Sequence, residues 1–98
     1  MDIKRALREA ISTGEVYIGY KRTLKMLMSK KKIELVIVSN NCPPQYVEEL
    51  RKKRVKIYRF NGNNVELGAT CGKPFAISVL GIANPGESEI LLLKESES

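Results

Sequence analysis

Leu35-Val36-Ile37-Val38-Ser39-Asn40-Asn41-Cys42-Pro43-Pro44 is the stretch whose reading decides the fold. Its first four residues form a continuous apolar, mostly β-branched run. That is the pattern of a strand covered on both faces, not of one with a wet side. Such a strand needs helices above and below its sheet. Asn40, Asn41 and the two prolines oppose its continuation, so the strand must open into a loop.

Working outward, the flanking segments supply those helices. Ile3, Leu7, Ala10 and Ile11 recur at helical spacing, with Asp2 placed to cap the helix and Gly14 to stop it. Val16-Tyr17-Ile18 reads as a short strand ended by Gly19, and a second helix follows with Leu24, Leu27 and Met28 expected on its buried face. On the other side, Tyr46, Val47 and Leu50 indicate a third helix ending near Lys53, and Val55, Ile57 and Tyr58 a third strand. Asn61-Gly62 is a turn, and Asn63 with Glu66 three residues later forms a capping box opening a short helix. Residues 76–82 read as another strand, and Asn84-Pro85-Gly86 as a tight turn. Residues 90–93 are expected to pair back as a hairpin strand, and residues 94–98 to fray. Alternating helices and strands predict an α/β layered fold with a mixed sheet and helices on both faces. With 98 residues, no repeat and no linker, residues 1–98 are expected to form a single domain.

A 43% hydrophobic and 29% charged composition is that of a folded soluble chain. The net charge of +6 creates a positive potential that attracts polyanions, nucleic acid foremost. No apolar run approaches the roughly 18 residues of a membrane span, and the N-terminal residues lack a signal-peptide pattern. A cytoplasmic location is therefore expected. The chain has no histidine and no CxxC pair, which argues against a zinc site and removes the usual general acid–base residue. Cys42 and Cys71 read as reduced structural thiols; no metal, cofactor or catalytic residue is expected. Nothing calls for an oligomer, so a free monomer is expected.

The positive charge is clustered. Lys21, Arg22, Lys25, Lys30, Lys31 and Lys32 occur without an intervening acid, as do Arg51, Lys52, Lys53, Arg54, Lys56 and Arg59, whereas residues 87–98 are mostly acidic. The first cluster begins at Gly19, where a helix starts and its early N–H groups lack partners. Such an end binds anions, and glycine lets a phosphate come close. Lys21, Arg22 and Lys25 there oppose the helix dipole, at a cost of about a few tenths of a kcal/mol, which is consistent with use as a polyanion site. From the residues alone, Asn40 and Asn41 fit either a local turn or contacts to base edges. Phe75, within Gly72-Lys73-Pro74-Phe75, fits either core packing or base stacking.

Several stretches together carry a resemblance. They are Gly19-Tyr20-Lys21-Arg22-Thr23-Leu24-Lys25, the strand-loop run from Leu35 through Pro43, Val65-Glu66-Leu67-Gly68, Gly72-Lys73-Pro74-Phe75, Val79-Leu80-Gly81-Ile82 and Pro85-Gly86-Glu87-Ser88-Glu89-Ile90-Leu91. In this order they resemble the archaeal and eukaryotic large-subunit ribosomal proteins of the L-thirty-e family. That family lies within the L-seven-Ae/L-thirty-e superfamily of kink-turn RNA binders. The resemblance spans nearly the whole chain. It implies a three-layer α/β/α sandwich with a four-stranded mixed sheet, whose loops at one edge grip a bent internal loop of ribosomal RNA. By position, it implies that Gly19 allows close backbone approach, that Lys21 and Lys25 contact RNA, that Asn41 reads a base edge and that Phe75 stacks on an unpaired base. Arg22 and Lys73 complete the implied RNA-binding set. The related L-seven-Ae group, which also serves RNA-modification particles and RNase P, typically carries Asn-Glu where this chain has Lys21-Arg22. About one helical turn is missing after Pro44 relative to many members, so no RNA contact is carried over from that helix.

Two readings of other classes stand beside this one. A small metabolite-binding or enzymatic α/β domain would need a convergent set of titratable groups, since fold alone does not decide function. An adaptor that uses its basic face on an acidic protein would bind without regard to RNA shape.

Overall fold

The computed structural model describes residues 1–93. The expected frayed segment, residues 94–98, lies outside them. The described chain runs α1 (Ile3–Thr13), β1 (Glu15–Ile18), α2 (Tyr20–Met28), β2 (Leu35–Val38), α3 (Pro44–Lys52), β3 (Ile57–Arg59), α4 (Asn64–Thr70) and β4 (Val79–Asn84), then a 3-10 turn at Ile90–Leu92. The strands lie in the order β1-β4-β2-β3. Only β2 and β3 run parallel, so the sheet is mixed.

All four residues of β2 are buried, as its unbroken apolar run requires. Leu35 and Ile37 face α1 and α4 in one core with Leu7, Ala10, Leu67, Leu80 and Ile82. Val36 and Val38 face the opposite way, into a second core with Tyr17, Val47, Leu50, Ile57 and Val79 beneath α2 and α3. The result is a three-layer α/β/α sandwich. Asp2 accepts hydrogen bonds from the backbone N–H groups of Lys4 and Arg5, and Gly14 ends α1, as the sequence predicts. The capping box between Asn63 and Glu66 also forms. No helix among the described residues is long and apolar enough to cross a membrane.

Three expectations need correction. Met28 is not on the buried face of α2; it is 65% exposed, and the fully buried residue is Thr23. Tyr20, Met26 and Leu27 complete the inward stripe. Thr23 passes unnoticed in the sequence because it is polar, but its hydroxyl donates to the Tyr17 carbonyl at 3.4 Å. It enters over Gly81, where a Cβ would lie 2.9 Å from the Thr23 methyl. Residues 90–93 do not form a hairpin strand. β4 is flanked by β1 and β2, so neither of its edges is free to pair. Instead Ser88 donates its hydroxyl to the Ala6 carbonyl and accepts from the Ile90 N–H, which turns Ile90 into the core against α1. The other strand limits also shift. Val55 precedes β3, and β4 begins at Val79 because the Ile77 N–H donates to the Asn64 carbonyl at 2.9 Å, outside the ladder.

Gly81→Ala should lower stability in urea unfolding by about 1–3 kcal/mol, the usual cost of overpacking, because α2 must lift off the sheet. Burial pushes both the Cys42 and Cys71 thiols up to about 11. A raised value suppresses the nucleophilic thiolate at neutral pH. Both cysteines should therefore resist an aromatic disulfide probe at pH 7 in the folded protein and react on unfolding.

Candidate nucleic-acid interface

The antiparallel pairing of β4 brings three loops to one edge of the sheet. Ile18, at the end of β1, stands beside Leu80, while Val38, at the end of β2, stands beside both Val79 and Arg59. The chain therefore leaves β1 at Gly19, leaves β2 at Ser39 and enters β4 from Ser78 on the same side. Backbone hydrogen bonds join these segments. Gly19 N–H donates to Val79 O at 2.8 Å, Ser39 N–H to Ser78 O at 2.9 Å, and Asn40 N–H to Gly62 O at 2.8 Å.

Gly19 has φ +108, a conformation that side-chain-bearing residues rarely adopt, and a Cβ there would point into open space. It precedes α2 without any side-chain cap on the helix. The N-terminal N–H groups of α2 thus face the surface, and Lys21 and Lys25 are exposed four residues apart on one helix face. Arg22 is also exposed, with its guanidinium 5.5 Å above the Tyr17 ring. Tyr20 stacks on Tyr46 with ring centroids 3.8 Å apart, tying the start of α2 to α3. Burial is the main cause that raises the Tyr20 phenol above its ordinary value, which keeps it neutral beside the basic helix start.

Asn41 is exposed, and its amide is held from across the edge. Its Oδ1 accepts from the Asn64 backbone N–H at 2.8 Å, and its Nδ2 donates to Asn64 Oδ1 at 3.2 Å. An amide has a further N–H and a further lone pair beyond these two bonds. Asn64 in turn donates through Nδ2 to Ser78 Oγ at 3.2 Å. Arg59 Nη1 donates to the Asn40 carbonyl at 3.2 Å and braces the same loop.

Phe75 is 53% exposed. Its carbonyl would lie 1.9 Å from a Cβ on Gly68, so the segment leading to β4 lies directly against α4. The aromatic ring is left at the surface, not in the core. Val65, in the first turn of α4, is 65% exposed at the same edge. Lys73 is half-buried in the turn after α4, its N–H donating to Gly68 O at 2.9 Å. Lys73 thus follows the end of α4, whereas Asn64 and the loop edge lie at its start.

The sequence reading missed Asn64, Ser78, Arg59 and Val65. The capping box marks where α4 begins, but nothing local connects Asn64 to Asn41, 23 residues away. The arrangement offers a helix start with cations, an oriented amide and an exposed aromatic ring. These are the means of meeting phosphates, base edges and an unstacked base.

Comparison with known proteins agrees with the fold. The model of the Ribosomal protein L7Ae/L30e/S12e/Gadd45 family matches residues 1–92. The large ribosomal subunit protein eL30 of Methanoregula boonei is 41% identical over 97 residues, covering 98% of this chain and 99% of that protein. The protein of the same name from Methanospirillum hungatei is 44% identical over 94 residues, covering 95% and 98%. That of Oryza sativa is 39% identical over 94 residues, covering 92% and 84%. With both the family match and these relatives running nearly end to end, the chain belongs to the ribosomal protein L7Ae/L30e/S12e/Gadd45 family.

Proposed function

We propose that this chain is a structural component of the large ribosomal subunit in the cytoplasm, and that it binds ribosomal RNA at a kink-turn or similar bent internal loop. The RNA reading draws its support from Gly19 and Asn41, which follow neighbouring strands at one edge of the sheet, and from the exposed ring of Phe75, three residues before Ser78 at that edge. The ribosomal assignment draws support from relatives named large ribosomal subunit protein eL30 and from Lys21-Arg22 at the start of α2. The protein acts by binding, not by catalysis.

Duplex RNA hides its base edges in a deep, narrow groove, whereas a bend splays them out. The start of α2 meets the phosphates at the bend, with Gly19 permitting close approach and Lys21 and Lys25 adding charge. The remaining hydrogen-bonding capacity of Asn41 meets a base edge, and Phe75 stacks on an unpaired base. Arg22 and Lys73 contact the flanking backbone. Lysine contacts give a salt-dependent share of the affinity, while Asn41 and Phe75 discriminate bent from straight RNA.

Titration against a kink-turn RNA and a matched straight duplex, each across a range of salt, tests this function. A clear preference for the kink-turn is expected, and equal affinity for the two would sink the reading. Phe75→Ala should weaken the kink-turn complex by about 1–3 kcal/mol, as loss of base–aromatic stacking does, with little change in melting temperature. Lys21→Ala should reduce the slope of log affinity against log salt by about 0.7–0.9, the loss of one phosphate contact. An unchanged slope would remove Lys21 from the backbone contacts.

A further inference from the structure

Apart from Arg59, which braces the Asn40 loop, the second basic cluster takes no part in the edge described above. Because β2 and β3 run parallel, the residues that lead into them lie together at the other end of the sheet, away from Asn41. The Val36 N–H donates to the Lys56 carbonyl at 2.8 Å, which places the approach to β3 directly beside that to β2. α2 and α3 both end at this side. Lys30 after α2, and Lys53, Arg54 and Lys56 after α3, are all exposed.

The carboxylates nearby are engaged elsewhere. Lys31 pairs with Glu15 at 3.2 Å and Lys32 with Glu34 at 3.5 Å, while Glu48 and Glu49 on α3 pair with Arg51 and Lys52. Among the described residues, Lys30, Lys53, Arg54 and Lys56 have no ion-pair partner. The acids Asp2, Glu9, Glu87 and Glu89 instead line a hollow beside the start of α1.

Backbone conformation supplies a second, independent observation. Lys30 has φ 63 and Arg54 has φ 59, the only described non-glycine residues with positive φ. Both occupy the residue after a helix cap, where the chain turns left-handed and glycine is the usual occupant. At the end of α2 the turn is closed by Lys30 N–H to Leu27 O at 3.0 Å and Lys31 N–H to Met26 O at 2.9 Å. At the end of α3, Arg54 N–H donates to Arg51 O at 3.0 Å. A cation near a helix C-terminus is favourable for the dipole. That benefit is already available from Lys31 and Lys32, or from Lys52 and Lys53, without strain. At both turns a long cation stands where glycine would fit more easily.

We propose that this opposite edge of the sheet is a second RNA-binding surface, on which Lys30, Lys53, Arg54 and Lys56 hold the phosphate backbone of a separate RNA segment. It reads no sequence and requires no bend. Together with the loop edge, it makes the protein a clamp between two RNA segments.

The test measures binding of a labelled, perfectly paired RNA duplex to the full chain across salt concentrations. Four proteins are compared: the wild type, K30G/R54G, K53A/K56A, and K4A/R5A, which removes the same charge from α1. The second-edge variants should each lose duplex affinity and reduce the salt slope by about 0.9 for every phosphate contact removed. K4A/R5A should bind as the wild type does. K30G/R54G should melt at the same or a higher temperature, since glycine adopts the left-handed turn freely. Wild type loaded with one equivalent of kink-turn RNA should still capture duplex added in excess.

Unchanged duplex binding in both second-edge variants overturns the proposal, as does an equal loss in K4A/R5A. Failure of excess duplex to bind protein loaded with one equivalent of kink-turn RNA, or tighter capture of a polyglutamate peptide than of duplex, overturns it too. The duplex has no bend, so these variants report on this surface whether or not the loop edge recognises a kink-turn.

Discussion

β4 lies between β1 and β2, antiparallel to both, and the rest of the molecule is arranged around that placement. Its first four residues are buried from both sides, so its ladder hydrogen bonds form out of contact with water. Antiparallel pairing on both flanks requires the chain to leave β1 and β2 on the side where it enters β4. The Gly19–Val79 and Ser39–Ser78 backbone hydrogen bonds then extend the sheet into the loops. An internal β4 also has no edge for another strand, so the chain after it turns into the α1 core through Ser88 and Ile90.

The loop edge is held mainly by polar contacts. Around the start of α4, Asn63 and Glu66 close the capping box, Asn64 grips Asn41 and Ser78, and Ile77 donates to the Asn64 carbonyl. Single exposed hydrogen bonds contribute about 1 kcal/mol or less to stability. Here they orient the Asn41 amide and hold the segment carrying Phe75 against α4 before any ligand arrives. Less ordering is then left to the binding step.

α2 relates the two basic regions. Its start follows a glycine with an open backbone and is accompanied by Lys21 and Lys25, and its end is turned by Lys30 in a left-handed conformation. Between them, the helix lies on the sheet through Thr23 over Gly81. Small residues at this contact let the helix sit close, which fixes both of its ends relative to the strands.

The sequence alone determined the features that depend on near neighbours. The unbroken apolar run of β2 implied cover on both faces, Asp2 and Gly14 delimited α1, and Asn63 with Glu66 marked the start of α4. The family motifs drew attention to Gly19, Asn41 and Phe75 as members of one site. What the sequence could not contain was the company each residue keeps across long separations. Thr23 became the buried residue of α2 because Gly81, far along the chain, makes room for it. Residues 90–93 lost their expected strand because both sides of β4 were already occupied. Asn64 became the partner of Asn41, and the turns after α2 and α3 came to the same end of the sheet, only when β2 was set between β4 and β3. Periodicity and capping act over a few residues and are written locally, whereas strand order is decided by which surfaces the whole chain can bury together.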